Sequence, residues 1–400
     1  MSKKILITGA SVAGCTAAWW LSKRGFEVEV VERADAFRTG GQNVDVRGAG
    51  REVIRLMGLE SKAFALSTNE LGTDWVDEQD LTIARFEVDD KTDRGPTAEM
   101  EIRRGDIAKL IYDACPTDVE YRFGDSVVTV KESDAEVVVE FASRKVCAYD
   151  YLIVAEGVGS RTRELVFPGE NEPRYMDLTI AYYSSPGNSG DSKFARQYNT
   201  TDGKGACVKP NRDKDLGTYI GIHGKSDADH DWNIGQQKAY IQQKFGDLGW
   251  EFPRLLKAMH ETEDFYFDIL RQVRMPRWFK GRIALTGDAA WSPTPLSGIG
   301  TTLAIVGAYV LAGELAKDKS SNESFASYEK IMRPFVKKGQ NIPKLIPRLL
   351  WPHTKLDLAL LRSGMKFLSS PMLKKTILQF FARDPEVLKL PIYEDIESTF

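Results

Sequence analysis

The chain has 400 residues, 42% of them hydrophobic and 28% charged, with a formal net charge of −3 at neutral pH. That length exceeds one ordinary hydrophobic core and predicts two tightly joined domains with a helical tail. The balanced composition excludes a disordered chain and offers no basic footprint for nucleic acid.

Cys15, Cys115, Cys147 and Cys207 stand far apart without a C-x-x-C pair, and His223, His230, His260 and His353 lack metal-ligand spacing. Neither a disulfide framework nor a zinc site is expected, and the cysteines read as reduced and structural. The N-terminus runs from two lysines straight into a short apolar strand, without the long apolar stretch of a signal peptide, so a cytoplasmic address is expected. No window reaches the roughly 18 uninterrupted apolar residues of a membrane span.

In chain order, residues 4–8 (KILIT) predict a strand, Gly9 to Gly14 a turn, Cys15 to Arg24 a helix and EVEVVER a second strand. This β-turn-α-β succession has the length of a nucleotide-binding βαβ unit. REVIRLMGL reads as a helix stopped by glycine, and LTIARFEV suits an antiparallel strand. Arg104 to Ala114 reads as a helix, followed by strands at VEYRF, SVVTVKES, EVVVEFA and DYLIVAEG. Strand-like LTIAYYS and GTYIGIH precede a helix near Gln236 to Phe245, in a stretch suited to a substrate-facing sheet. A strand then resumes at Arg282 to Leu285, and a long apolar helix follows from Thr301 to Ala316. The remainder, from Glu323, reads as helical, with prolines at 334, 343, 347, 352 and 371 as breakers.

Two motifs carry chemistry. The first, Gly9-Ala10-Ser11-Val12-Ala13-Gly14, is a G-x-S-x-x-G form of the dinucleotide fingerprint placed between strand and helix. Gly9 permits the tight turn, Ser11 and Ala13 keep the turn small, and Gly14 lets the helix pack while its positive end faces a pyrophosphate. Glu32, at the end of the second strand, is placed to accept from an adenosine ribose. This motif alone does not separate FAD from NAD. The second, Gly287-Asp288-Ala289-Ala290, follows a strand and precedes PLSGIGTT and the long helix.

Together these motifs, with Pro295, Gly298 and Gly300, resemble the class A FAD-dependent monooxygenases of the para-hydroxybenzoate hydroxylase fold. The run from Pro295 through Leu315 and the helical C-terminus are similar to the tetracycline destructase branch and to oxidoreductases of phenols and polyketides. The resemblance implies that Asp288 bonds the flavin ribitol and that Pro295 to Thr301 lies along the isoalloxazine, where helix amides stabilise charge on reduced flavin. It also implies that Arg104 reaches the ribitol or pyrophosphate and that Arg33 lies beside the adenosine. The third family motif appears as Glu156-Gly157-Val158-Gly159-Ser160-Arg161, with glutamate where aspartate is usual. Trp291 and Thr302 stand where many members carry histidine and asparagine.

The fold class implied is α/β: a Rossmann-like FAD-binding domain (1–65, 102–170 and 271–325), a mixed-sheet substrate-binding domain (66–101 and 171–270), and a C-terminal helical segment (326–400) capping both. Arg196, Tyr198, Tyr219 and His223 are the candidate substrate-facing residues. The activity implied is a single-component reaction: NADPH, or NADH, docks transiently and reduces FAD, and a C4a-hydroperoxyflavin passes oxygen from dioxygen to an electron-rich enol or phenol. No catalytic side chain is required, because the cofactor carries the chemistry. Tetracycline inactivation, and hence antibiotic resistance, is one outcome. A phenol or aromatic polyketide hydroxylase of secondary metabolism, a non-oxygenating flavoprotein and a membrane-associated FAD oxidoreductase stand as alternatives; the W-x-W-x-I signature of halogenases is absent. Between Lys344 and Arg383 eight Lys or Arg residues face one acid, Asp357, among leucines and phenylalanines. This pattern suits either an anionic membrane or, as favoured here, a cap on the two domains. Ser370-Pro371 predicts a final helix through Phe381. A monomer without membrane or nucleic-acid partners is expected.

Overall fold

A computed structural model describes residues 2–88, 98–212, 215–228, 230–317, 319–370 and 389–393. It is an α/β structure built on two large sheets.

The first sheet has six strands in the order Phe279–Lys280, Ile283–Leu285, Tyr151–Val154, Lys4–Thr8, Glu27–Glu32, Glu120–Phe123, parallel except for the first pair. Its central strands are fully apolar runs because both faces are covered: Ile5, Leu6, Ile7, Leu152, Ile153 and Val154 are completely buried. Helix Val12–Lys23 covers it together with helix Gly300–Leu315, which is buried at every position from Leu303 to Leu315. Glycines in the second helix admit whole rings. A Cβ at Gly307 would lie 2.7 Å from the Trp291 indole, and one at Gly313 would lie 2.3 Å from the Tyr393 ring.

The second sheet has seven strands, ordered Phe265–Gln272, Arg174–Pro186, Asp215–His223, Lys204–Pro210, Ala195–Asn199, Gly72–Val76, Thr82–Glu87. All pairs are antiparallel except Ala195–Asn199 with Gly72–Val76. Alternation along each strand sends one set of side chains to each face. One face carries Ala181, Tyr183, Tyr198, Ala206 and Ile220 and is covered by helices Ile234–Phe245 and Phe252–Glu261. The other carries Leu178, Ile180, Tyr182, Tyr219 and Leu270 and packs against Leu296 and Trp351. A ribbon of Asn43–Asp45 and Glu101–Arg103 lies between the two sheets.

Two local expectations are corrected. Pro334 does not break its helix, which runs unbroken over Ser321–Gln340. Proline there costs about 3 kcal/mol, but Phe325, Tyr328, Met332 and Val336 are buried on either side of it and hold both halves to the core. Helix Phe252–Glu261 was not anticipated, although Phe252, Leu255, Leu256 and Met259 repeat at helical spacing behind Pro253. In the C-terminal segment, helix Lys355–Leu368 sets Met365 on Ala84 and Phe86 of an edge strand. The helix foreseen from Ser370 to Phe381 lies outside the described residues, apart from Ser370. No helix among the described residues is long and apolar enough to cross a membrane.

Candidate active site

The two glycines that bound the Gly9–Gly14 turn have no room for a side chain. Gly9 has φ +100°, and a Cβ on it would lie 2.6 Å from the Ala155 carbonyl oxygen. A Cβ on Gly14 would lie 1.9 Å from the Gly9 oxygen. Ser11 occupies the N-cap of helix Val12–Lys23 without capping it; its hydroxyl accepts from the Arg104 guanidinium at 2.8 Å. The first N–H groups of the helix therefore keep no side-chain cap and point out of the turn. The Glu32 carboxylate accepts from the Ala10 and Ala34 amides at 2.9 Å each, which fixes the mouth of the turn, and Arg33 next to it is exposed.

The second motif meets the first directly. Gly287 (φ 58°, ψ −146°) packs so closely on Ala13 that a Cβ would lie 2.7 Å from the Ala13 Cβ. Asp288 then opens the short helix Asp288–Trp291, and burial pushes its carboxyl up to about 6 against the opposing pull of Arg104. Arg104 bonds both the Ser11 hydroxyl and the Gly40 carbonyl, and burial holds its guanidinium below the ordinary range despite Tyr266, Asp264 and Asp288. Gly105 allows this: a Cβ there would sit 1.8 Å from the Thr39 oxygen.

Beyond Asp288 the chain turns sharply. Thr294, β-branched and buried, adopts φ 72°, ψ 156°, and its hydroxyl has no hydrogen-bond partner. Strain of this kind costs about 1–3 kcal/mol and persists only where the surroundings enforce it. Pro295–Ser297 follows as a 3₁₀ turn, Gly298 takes φ 65°, and Gly300 and Thr301 begin the long helix. The Asn43–Arg47 segment walls this turn. Thr302 accepts from the Arg47 amide at 3.1 Å, Asp45 pairs with Arg47 at 2.8 Å, and the Tyr219 hydroxyl accepts from the Asn43 amide at 2.7 Å. The Asn43–Arg47 segment escaped the sequence reading; the signal was a polar run, QNVDVRG, behind two glycines.

Glu156 organises its own loop. Its carboxylate accepts from the Ser160 hydroxyl, the Thr162 hydroxyl and the Thr162 amide, while Ser160 caps helix Arg161–Val166. Gly157 (φ 81°) stands in open space at the bend. Arg163, buried, ties this loop to the second motif through the Ala289 carbonyl at 3.2 Å.

The four substrate candidates divide by face. Tyr219 lies on the side turned toward Leu296, and His223, on the same side, pairs its Nδ1 with Nε2 of His353 at 2.9 Å. Arg196 and Tyr198 lie instead on the helix-covered face. Arg196 pairs with Asp80 at 2.6 Å, Asp191 at 3.2 Å and Glu251 at 3.5 Å, and Tyr198 stacks on Trp250 at 4.8 Å.

The Asp288 carboxyl yields a pH prediction. Its folded value of about 6 exceeds the ordinary carboxyl value near 4, so the folded chain holds a proton that the unfolded chain releases, and stability falls as pH rises through that window. Asp288→Asn should remove the charge that burial penalises. The FAD-free variant is expected to gain about 2 kcal/mol at pH 7.5 and nothing at pH 4, as read from urea unfolding at the two pH values.

Comparison with known proteins agrees with this arrangement. A family model described as "FAD binding domain" matches residues 2–340. Monooxygenase CTB7 of Cercospora beticola is 34% identical over 391 residues, covering 92% of each chain. The flavin-dependent monooxygenase eupH of Phoma sp is 33% identical over 402 residues, covering 94% of each. Among solved structures, tetracycline destructase Tet(51) superposes with a TM-score of 0.83 at 28% identity, over 98% of this chain and all of the other. Klebsiella pneumoniae HpxO, solved with FAD and uric acid, shares the fold at a TM-score of 0.74 and 18% identity, over 95% and 96% of the two chains. The chain therefore belongs to the FAD-dependent monooxygenases of the class A type, and its structure is similar to those of the tetracycline destructases.

Proposed function

We propose that the chain hydroxylates a polycyclic enol or phenol, using NADPH or NADH as reductant and dioxygen as oxidant. The observation that carries the substrate class is the face turned toward the Pro295–Gly300 turn. Tyr219, Tyr182 and Tyr266 stand in one row across three strands, with ring centroids 5.2 and 5.9 Å apart, beside Leu178, Ile180, Leu270 and Trp351. A broad aromatic and apolar floor suits flat fused rings. The likeness to a tetracycline destructase over the whole chain supports tetracyclines or aromatic polyketides as the ring systems.

FAD fits the residues present, since two glycine-bearing turns meet at Ala13 and Gly287 in a cradle that added Cβ atoms would fill. In this reading segments 1–65, 102–170 and 271–325 hold the cofactor. The Gly9–Gly14 turn, with Ser11 and Ala13, takes the pyrophosphate; Glu32 and Arg33 take the adenosine ribose; Arg104, Gly157 and Asp288 take the ribitol region; and Pro295, Gly298, Gly300 and Thr301 back the isoalloxazine. Bound FAD supplies electron transfer from the reduced nicotinamide and activation of dioxygen. Segments 66–101 and 171–270 present the substrate floor, and residues 326–370 close its edge through Met365 and the His223–His353 pair. The protein's own work is to orient the ring, exclude water and stabilise flavin charge at the start of helix Gly300–Leu315.

Asp288→Asn, which stabilises the FAD-free chain, should weaken FAD binding about 10- to 100-fold through loss of a charged hydrogen bond, as read by flavin fluorescence titration. The function itself is tested by NADPH and NADH oxidation against tetracyclines, simple phenols and polyketide aromatics, with mass spectrometry of the products. Substrate-stimulated oxidation with one added oxygen atom is the expected result. Hydrogen peroxide as the sole product across the panel overturns the substrate class.

A further inference from the structure

One carboxyl on the proposed substrate floor, Asp268, has only a distant cation and the Ile269 amide to hold it. Asp268 pairs across the strands with Ile180, so it points to the same face as Tyr182 and Leu270, toward the Pro295–Gly300 turn. Its side chain is 14% exposed, and the nearest cation, Arg271, lies 3.9 Å away while donating to His230 at 2.8 Å. A buried structural ion pair would be closer and would hold the acid low. Here burial pushes the Asp268 carboxyl up to about 6, with Arg271 opposing and Asp288 adding to the rise. Diagonally across the same strand pair the Tyr182 hydroxyl, on a side chain 4% exposed, has no hydrogen-bond partner. Tyr266 stands next to both, within electrostatic reach of Asp288 and Arg104.

We propose that Asp268 and the Tyr182 hydroxyl form the polar edge of the substrate compartment, receiving the acidic hydroxyl of a phenol or enol and accepting its proton on the Asp268 carboxylate. This rests on the substrate reading above. In the step, the substrate O–H bond breaks, its electron pair stays on the substrate oxygen and the proton joins a carboxylate oxygen; nothing is oxidised or reduced. The resulting phenolate or enolate has a more electron-rich ring carbon for oxygen transfer, whose electrons come from the nicotinamide. Tyr182 donates a hydrogen bond to the substrate oxygen as its charge develops. A base titrating close to the working pH suits both halves of the proton's journey.

The test uses the FAD-loaded protein and 7-hydroxycoumarin, a fused-ring phenol whose absorbance separates its neutral and ionised forms, at a pH above the Asp268 titration and below that of the free dye. Wild type should shift the bound dye toward the ionised spectrum. Asp268→Asn should bind it about tenfold more weakly and leave it neutral, Asp268→Glu should restore the ionised form, and Tyr182→Phe should weaken binding with the shift retained. All four proteins should keep their flavin absorbance. An ionised spectrum with Asp268→Asn, or no dye binding by yellow wild type, overturns the proposal and leaves the FAD site standing; a wild type that does not hold FAD sinks the cofactor assignment instead.

Discussion

Gly14→Val is expected to give a protein that purifies colourless. The valine Cβ would have to sit 1.9 Å from the Gly9 oxygen and 3.6 Å from the Ala155 Cβ. Gly9 cannot retreat, because its amide donates to Val31 at 2.8 Å and its own Cβ position is already filled by the Ala155 carbonyl. The helix must therefore back away from the turn, against a buried contact with helix Gly300–Leu315. Overpacking of this kind costs about 1–3 kcal/mol, and it moves the amides that face the pyrophosphate. A loss of about 3 kcal/mol in FAD binding is roughly a hundredfold in Kd. Gly25→Ala, at a turn outside the proposed cofactor contacts, is the control. It has open space around it and only the strain of φ 81°, worth about 1 kcal/mol, so it should stay yellow. Flavin absorbance of the purified proteins and FAD titration check both. A yellow Gly14→Val protein with unchanged FAD affinity would contradict the assignment of this turn to the cofactor.

The turn was legible because its evidence is local: strand, glycine, helix and acid fall within a short stretch and each has a spacing of its own. The same holds for Gly287–Asp288, and the contact between Ala13 and Gly287 joins the two. The substrate floor was not legible to the same degree. Tyr219 and Arg196 lie on two strands of the same sheet, on either side of Lys204–Pro210, yet they face opposite ways, and a shift of one residue exchanges the faces. Nothing in a strand of mixed polar and aromatic residues says which face is covered by helices, so Arg196 and Tyr198 could not be told from Tyr219 and His223. Asp268 was invisible for a related reason. Its importance comes from burial and from distance to Arg271, and neither follows from a local pattern. Pro334 shows the limit of propensity, since buried residues before and after it keep the helix whole.

Lys209→Met should be the most destabilising single change away from the cofactor turn. Lys209, on a strand of the seven-stranded sheet, reaches the carboxylate of Glu101 on the ribbon that leads to Arg104, and lies 3.4 Å from Glu70. The Glu101 and Glu70 side chains are 4% and 0% exposed, and the Thr68 hydroxyl donates to Glu101 at 3.0 Å. Burial works against both charge types here, yet the carboxylates hold the ammonium well above its ordinary range, while Lys209 holds Glu101 below the usual carboxylate range. Methionine fills the space but leaves two buried carboxyls without their cation, at a cost of about 3–5 kcal/mol. The sign with pH follows from Glu101. In the wild type its lowered value contributes stability above the ordinary carboxyl range, and that contribution is lost as pH falls through the folded value. The variant has already lost it, so the gap between the two proteins, measured by urea unfolding, should be widest at pH 7.5 and narrow toward pH 4. Lys209→Met combined with Glu101→Gln should recover at least half of the loss, because a neutral amide needs no cation. Equal destabilisation at both pH values, with no recovery in the double variant, would mean that Lys209 acts through its aliphatic stem alone and that the ribbon beside Arg104 is fastened by other contacts.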